Sequence, residues 1–266
     1  MAWRPSPFLT LCGLLHVVAL AVLIVDVQRW PWVVAGLVAL HGVITAVGLL
    51  PRSSWLGANL ARLPKAAIAR GEIAITIDDG PDPIVTPQVL AILQQYGAKA
   101  TFFCIGERAA AYPDLCRAIA AAGHDVENHG QRHRKHSSIF GPAGWRREVG
   151  EGQETLTALT GRTPAFYRPI AGLRNPFLEP QLQRLGVRLA SWTRRGYDTQ
   201  VGDPARVYAR LVYQMGAGDI LLLHDGHAAR TPEGRPVIVD VLPRLLDAMA
   251  ARNLTPVTLR QACKKA

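Results

Sequence analysis

Apolar and polar positions divide this chain of 266 residues near position 50. From Phe8 to Val25, and again from Pro31 to Leu50, no charged residue interrupts the run; Asp26, Val27, Gln28 and Arg29 lie before the second, with Trp30 at the turn. Each run has about 18–20 residues, the length at which a helix crosses about 30 Å of hydrocarbon. They predict a transmembrane hairpin with helices at 8–25 and 31–50, and Trp30, Trp32 and Trp55 suit interfacial anchoring. A signal peptide would account for the first run alone, but a second follows at once and no convincing small-x-small cleavage site is present. Buried core helices rarely run this far without a charge. His16 and His41, inside the spans, read as satisfied or interface-facing rather than as a proton relay.

After a basic linker or interfacial segment at 51–70 the period changes. Strand-length apolar runs at Ile73–Ile77, Ala100–Ile105, Asp125–Asn128, Ala165–Arg168, Val187–Ser191, Asp219–His224 and Pro256–Thr258 alternate with stretches of helical period. Thr86-Pro87 reads as an N-cap followed by Pro at the first helical position, and Gly97, Gly123 and Gly186 stand where C-terminal glycines belong. Alternating strand and helix predicts a parallel sheet. About seven such units over 71–266 fit an α/β fold, a distorted (β/α) barrel of about seven parallel strands, better than two small domains.

Charge adds a location. Lys and Arg total 30 against 20 Asp and Glu, a formal net charge of +10. Such a balance suits nucleic acid, an anionic membrane surface or an anionic substrate. There is no zinc-finger spacing, no aromatic-interleaved basic strand and no long Lys/Arg run, so the membrane is the expected partner and nucleic acid is not. Arg4 precedes the hairpin and Arg52, Arg62, Lys65 and Arg70 follow it, whereas its loop holds only Asp26 and Arg29. The positive-inside bias therefore predicts a multi-pass protein of the inner (cytoplasmic) membrane with its main domain on the cytoplasmic face. Cys12, Cys104, Cys116 and Cys263 show no paired spacing and read as free thiols.

Chemistry gathers where strands end. In Ile75-Thr76-Ile77-Asp78-Asp79-Gly80-Pro81-Asp82 an alternating run breaks at two carboxylates. Neighbouring residues of a strand face opposite sides, so both can share a site only if the strand stops between them. A solvated Asp-Gly-Pro turn explains this octet equally well. His129 and His133, four apart after the third strand, have a spacing that zinc sites use in a helical turn or a tight loop, and that surface histidines also show. Two imidazoles and a carboxylate would leave positions open on a divalent metal. His124 and His136 read as structural or exposed. Arg168, before a Pro/Gly turn, can hold a carboxylate or lie at the surface with a buried stem. His224 ends the apolar strand Ile220-Leu221-Leu222-Leu223. Four strand ends that each deliver a polar residue to one rim point to an active site.

With these residues assembled, the chain from about Ile73 onward resembles the polysaccharide deacetylases with the NodB-homology domain, carbohydrate esterase family four. The family's T-F-D-D-G-P motif appears as Thr76-Ile77-Asp78-Asp79-Gly80-Pro81, its H-x-x-x-H as His129 to His133, its R-x-x-x-G as Arg168 to Gly172, and its L-x-H as Leu222-Leu223-His224. The resemblance implies that Asp79, His129 and His133 hold a divalent metal, zinc first, with cobalt, nickel or manganese as alternatives. It implies Asp78 as general base, kept ionised by Arg168, and His224 as the acid for the leaving amine. The oxyanion would be met by the metal and the backbone N–H of Ala171, with Leu222 beside it in the acyl pocket.

The family's D-x-x-D-W motif appears as Arg195-Gly196-Tyr197-Asp198-Thr199. Asp198 is the expected partner of His224, while Arg195 and Thr199 depart from the pattern and change the pocket wall. Arg174, Arg194 and Arg195 read either as a solvated basic loop or as a site for a phosphate on the substrate. The expected activity is metal-dependent hydrolysis of an N-acyl group, usually acetyl, from an amino sugar of a cell-envelope polysaccharide or its lipid-linked precursor. A catalytically inactive, membrane-anchored carbohydrate-binding protein is the alternative.

Overall fold

The computed structural model describes residues 3–264. Helix α1 (Pro7–Val25) starts at Ser6, whose hydroxyl accepts from the Leu9 N–H, with Pro7 at the first helical position. It turns back into α2 (Trp30–Gly48). Only 6% and 11% of the apolar windows of these helices are buried. A core helix hides its apolar residues, so these two suggest membrane anchoring or a signal segment.

The rest alternates strand and helix: α3 (Lys65–Ala69), β1 (Glu72–Asp78), α4 (Val85–Gln95), β2 (Thr101–Cys104), α5 (Gly106–Ala111), α6 (Pro113–Ala121), β3 (Asp125–Asn128), α7 (Pro142–Thr160), β4 (Phe166–Tyr167), α8 (Leu178–Arg184), β5 (Arg188–Leu189), β6 (Arg194–Arg195), α9 (Pro204–Val212), β7 (Ile220–His224), α10 (Val237–Ala250), β8 (Thr255–Val257) and α11 (Leu259–Ala262). Seven strands pair in parallel in the order β5-β4-β3-β2-β1-β7-β6, and β8 pairs with the start of β1. The fold is an α/β half-barrel, preceded by the two apolar helices. Strand β6 carried no sequence signal, because two adjacent arginines show no apolar alternation.

Alternation along β1 divides the core. Ile73, Ile75 and Ile77 pack outward against Val89, Leu93, Val241 and Leu245 of the helices. Ala74 and its neighbours Phe103, Ile220 and Leu222 face inward. The inward set therefore continues to Thr76 and Asp78. Gly97, Gly123 and Gly186 have the positive φ of helix-ending glycines. The expected cap at Thr86 is not formed. Asp82 Oδ1 instead accepts from the N–H groups of Ile84 and Val85, both at 2.9 Å, and Thr86 lies inside α4 with its hydroxyl donating to Asp225 Oδ2 at 2.5 Å.

Residues 51–63, within the stretch 51–70 expected as a basic linker or interfacial segment, pack against the domain. Leu56 and Leu63 are buried. Leu60 forms a parallel bridge with Ala190 and receives the Ser191 N–H at 3.0 Å, while Thr193 Oγ1 donates to the Ala61 carbonyl at 3.2 Å. The segment thus lines the open side of the half-barrel, where β5 gives way to β6. The end of α2 is seated as well. Gly48 O accepts from the Arg174 N–H at 3.1 Å, and Pro51 O accepts from Ser191 Oγ at 2.5 Å and from Asn59 Nδ2 at 2.9 Å.

Candidate functional site

Strand β1 carries Asp78 into the barrel interior, and the chain then turns sharply. Asp79 takes a φ of 73°, a left-handed conformation that Asp tolerates better than most residues, and this swings its carboxylate back toward that of Asp78. The turn is closely packed. A Cβ on Gly226 would lie 2.2 Å from the Asp79 carbonyl oxygen, and one on Gly80 would lie 2.4 Å from Asp225 Oδ1. Arg108 Nη1 donates to the Asp79 carbonyl at 3.0 Å.

The two histidines lie in a loop rather than on a helix. His129 follows β3, and its Nδ1 is 2.6 Å from the Arg168 carbonyl. A carbonyl only accepts, so Nδ1–H donates and the Nε2 lone pair is left facing Asp79 Oδ1 at 3.1 Å. His133 Nε2 lies 3.0 Å from the same oxygen. Glu148 of α7 holds the loop in this shape, its Oε1 accepting from the N–H groups of Arg132 and His133, both at 2.9 Å. Potential ligand atoms of Asp79, His129 and His133 all lie within 4.8 Å of one another. Two imidazole nitrogens and one carboxylate, converging from a pre-oriented tautomer, fit a divalent metal. Burial pushes the Asp79 carboxyl up, but the imidazoles of His129, His133 and His227 around it outweigh this and hold the group well below the usual carboxylate range. Burial pulls the His133 imidazole down from its ordinary value.

Arg168 crosses the interior from the end of β4. Its Nη1 donates to Asp78 Oδ1 and to Thr76 Oγ1, both at 2.7 Å; Nη2 reaches the Ser191 carbonyl at 2.7 Å and Nε the Ala190 carbonyl at 3.1 Å. The guanidinium also lies 4.0 Å from the centroid of the Phe103 ring. It is fully buried and fully engaged. The turn after it places Ala171 at φ 50° on the cavity wall, with the Gly172 N–H donating to Pro169 O at 2.9 Å.

Register brings in the opposite side, since β1 and β7 pair Asp78 with His224. Asp198 accepts from His224 twice, through Nδ1 at 2.9 Å and the backbone N–H at 2.7 Å. Burial opposes the imidazolium, yet the charge and hydrogen bond of Asp198 prevail and raise the pKa of His224 to about 9. This folded value lies above the unfolded one of about 6.5. The linked stability is therefore fully present below pH ~6.5 and is lost as pH rises through about 9. NMR titration should find His224 charged at pH 8, and Asp198→Asn should return its midpoint to about 6.5 or lower.

A cavity of about 500 Å³ joins these groups, lined by Asp78, Asp79, His129, His133, Ala171, Arg195, Thr199, Leu222 and His224. Arg168 and Asp198 lie behind it, each reaching the cavity through its partner. Two expected rim arginines are elsewhere. Arg174 is buried and donates to the Ser53 carbonyl, and Arg194 pairs with Asp219 at 2.5 Å. Lys135, Trp192 and His227 also line the cavity, and His227 Nδ1 lies 3.3 Å from Asp79 Oδ2. None of these three had a spacing that marked it in the sequence.

Comparison with known proteins agrees with this geometry. Residues 66–190 match the family model described as polysaccharide deacetylase. The chain is similar to a peptidoglycan-N-acetylglucosamine deacetylase of Bacillus cereus, 32% identical over 175 residues, which are 65% of this chain and 81% of that one. It is also similar to a chitooligosaccharide deacetylase of Sinorhizobium fredii, 31% identical over 209 residues, or 76% of this chain and 96% of the relative. Among solved structures, a peptidoglycan N-acetylglucosamine deacetylase superposes with a TM-score of 0.70 at 26% identity, over 78% of this chain and 94% of that one. A family 4 carbohydrate esterase from Streptomyces lividans does so with a TM-score of 0.63 at 28% identity, over 70% and 91%.

Proposed function

The chain belongs to the polysaccharide deacetylases of carbohydrate esterase family 4 and is a carbohydrate N-deacetylase, and from that premise we propose that it removes an N-acetyl group from an amino sugar of a cell-envelope polysaccharide or of its lipid-linked precursor. Peptidoglycan and chitooligosaccharides, which the relatives' names give as theirs, set the class of sugar. The observation that carries the reading is the convergence of Asp78, Asp79, His129, His133 and His224 on one cavity.

Asp79, His129 and His133 would hold the divalent ion, zinc first by its preference for mixed nitrogen and oxygen donors, with cobalt, nickel or manganese as alternatives. When bound, such an ion supplies Lewis-acid polarisation of the acyl carbonyl and makes water easier to deprotonate. Asp78, oriented by Arg168, takes the proton from the water that attacks the acyl carbon. The Ala171 N–H donates to the oxyanion, and Leu222 and Thr199 border the acyl group. His224, positioned by Asp198, gives its proton to the leaving nitrogen, so amine and acetate are released together.

The apolar helices and the seat of α2 favour a substrate held at the membrane. A Cβ on Gly172, beside Ala171, would lie 2.5 Å from Pro51 Cβ. The cavity wall is thus one residue away from the end of the hairpin. With the positive-inside bias, the reading is an inner-membrane enzyme whose domain faces the cytoplasm and acts on a lipid-linked sugar.

Full-length protein in detergent with added Zn²⁺ should release acetate from tetra-N-acetylchitotetraose and faster from a polyprenyl-linked N-acetylglucosamine phosphate. Acetate from neither would leave the inactive carbohydrate-binding alternative. A reporter fused after residue 266 that is active only outside the cytoplasm would overturn the sidedness.

A further inference from the structure

Beside the metal-ligand triad stands an arginine that has no carboxylate partner among the described residues. Arg194 and Arg195 form β6, and strand alternation sends their side chains to opposite faces. Arg194 meets Asp219, which Arg62 also contacts at 3.1 Å. Arg195 is in register with Leu222, and both side chains line the cavity. Among the described residues Arg195 has no ion pair, and its buried Nε has no hydrogen-bond partner. Its guanidinium is held between aromatic rings, 5.6 Å from the centroid of Trp192 and 4.9 Å from that of Tyr197.

The carboxylates of the same cavity are committed elsewhere. Asp78 is engaged by Arg168, and Asp79 by His129, His133 and His227. Lys135 lines the same cavity and is also without an ion pair among the described residues. A buried guanidinium N–H lacking an acceptor is costly to a folded protein unless something binds there. An Arg fork stacked on aromatic faces is pre-organised for a planar or tetrahedral oxyanion, and more so than Lys.

The geometry points to an anion subsite built on Arg195, which receives a phosphate carried by the amino-sugar substrate. This rests on the deacetylase reading for the sugar but not for the anion. The phosphate fits a substrate joined to a lipid carrier, and a carboxylate-bearing amino sugar is the other oxyanion the fork could take.

Binding separates these cases without turnover. In metal-depleted full-length protein in detergent, N-acetylglucosamine 1-phosphate is expected to bind at least 10-fold more tightly than N-acetylglucosamine. Arg195→Gln should abolish that difference, and Arg195→Lys should restore part of it. Circular dichroism and zinc stoichiometry of the variants should match the wild type, which excludes misfolding as the cause. Equal affinity for the two sugars, or an undiminished difference in Arg195→Gln, overturns the subsite. Tighter binding of N-acetylmuramic acid than of the sugar phosphate overturns its assignment to phosphate, and inorganic phosphate binding as tightly as the sugar phosphate overturns its coupling to the sugar. After Zn²⁺ is added, a phosphate preference without acetate release would retain the subsite and sink the deacetylase reading.

Discussion

Asp78→Asn is expected to retain one metal ion per chain and to lose activity by about 10²–10⁴-fold, the range assigned to a positioned general base. Asp79→Asn should lose the ion itself. The two carboxylates are adjacent in sequence but differ in what surrounds them. Asp79 Oδ1 lies about equally far from two imidazole nitrogens, 3.1 and 3.0 Å, whereas Asp78 Oδ1 is taken by Arg168 at 2.7 Å. The Asp78 Oδ2 atom is 3.9 Å from His129 Nε2, too far to share its ligand set as closely. Metal analysis and acetate release on the same preparations separate the roles. Loss of metal in Asp78→Asn, or full activity without Asp78, would reverse the assignment.

Arg168→Met should be the most destabilising single change at the site. The guanidinium is fully buried and supports five acceptors or ring contacts at once, so removing it leaves Asp78 as an uncompensated interior charge. Breaking a buried pair from one side costs about 3–5 kcal/mol. For a domain of this size that lowers Tm by on the order of 10 °C. Adding Asp78→Asn removes the stranded charge, so the double variant should recover about 1–3 kcal/mol relative to additivity. Thermal unfolding of the full chain in detergent reads both numbers, and strict additivity would show that the pair is not coupled.

Much of this site was legible before the fold was known, for a physical reason in each case. Asp78 and Asp79 stood where alternation met Gly and Pro, and a strand end delivers its last side chains to a rim. His129 and His133 carried a metal-binding spacing, although the loop that shapes them depends on Glu148, which reads as one more surface charge of a long helix. The partners that act across the barrel left no local trace. His227, Trp192 and Lys135 reach the cavity only through long-range packing, and β6 is two arginines set into a sheet by a neighbouring strand. Thr86 looked like a helix cap because local sequence favours one, yet its hydroxyl is drawn to Asp225, a buried carboxyl whose pKa burial raises to about 7. Tertiary hydrogen bonding outweighed the local preference there.

The seat of α2 sets the reach of the enzyme. From Gly48 to Pro51 the chain takes three Cα-to-Cα steps, an extended span of only about 10 Å, and both ends are already fastened to the domain. Nothing is left to pay out as a tether. If α1 and α2 cross a bilayer, the catalytic domain cannot swing outward to search a polymer mesh. On the proposed lipid-linked substrate it would meet the sugar by diffusion in two dimensions, and its rate should then follow the surface density of that sugar in the membrane rather than a concentration in bulk.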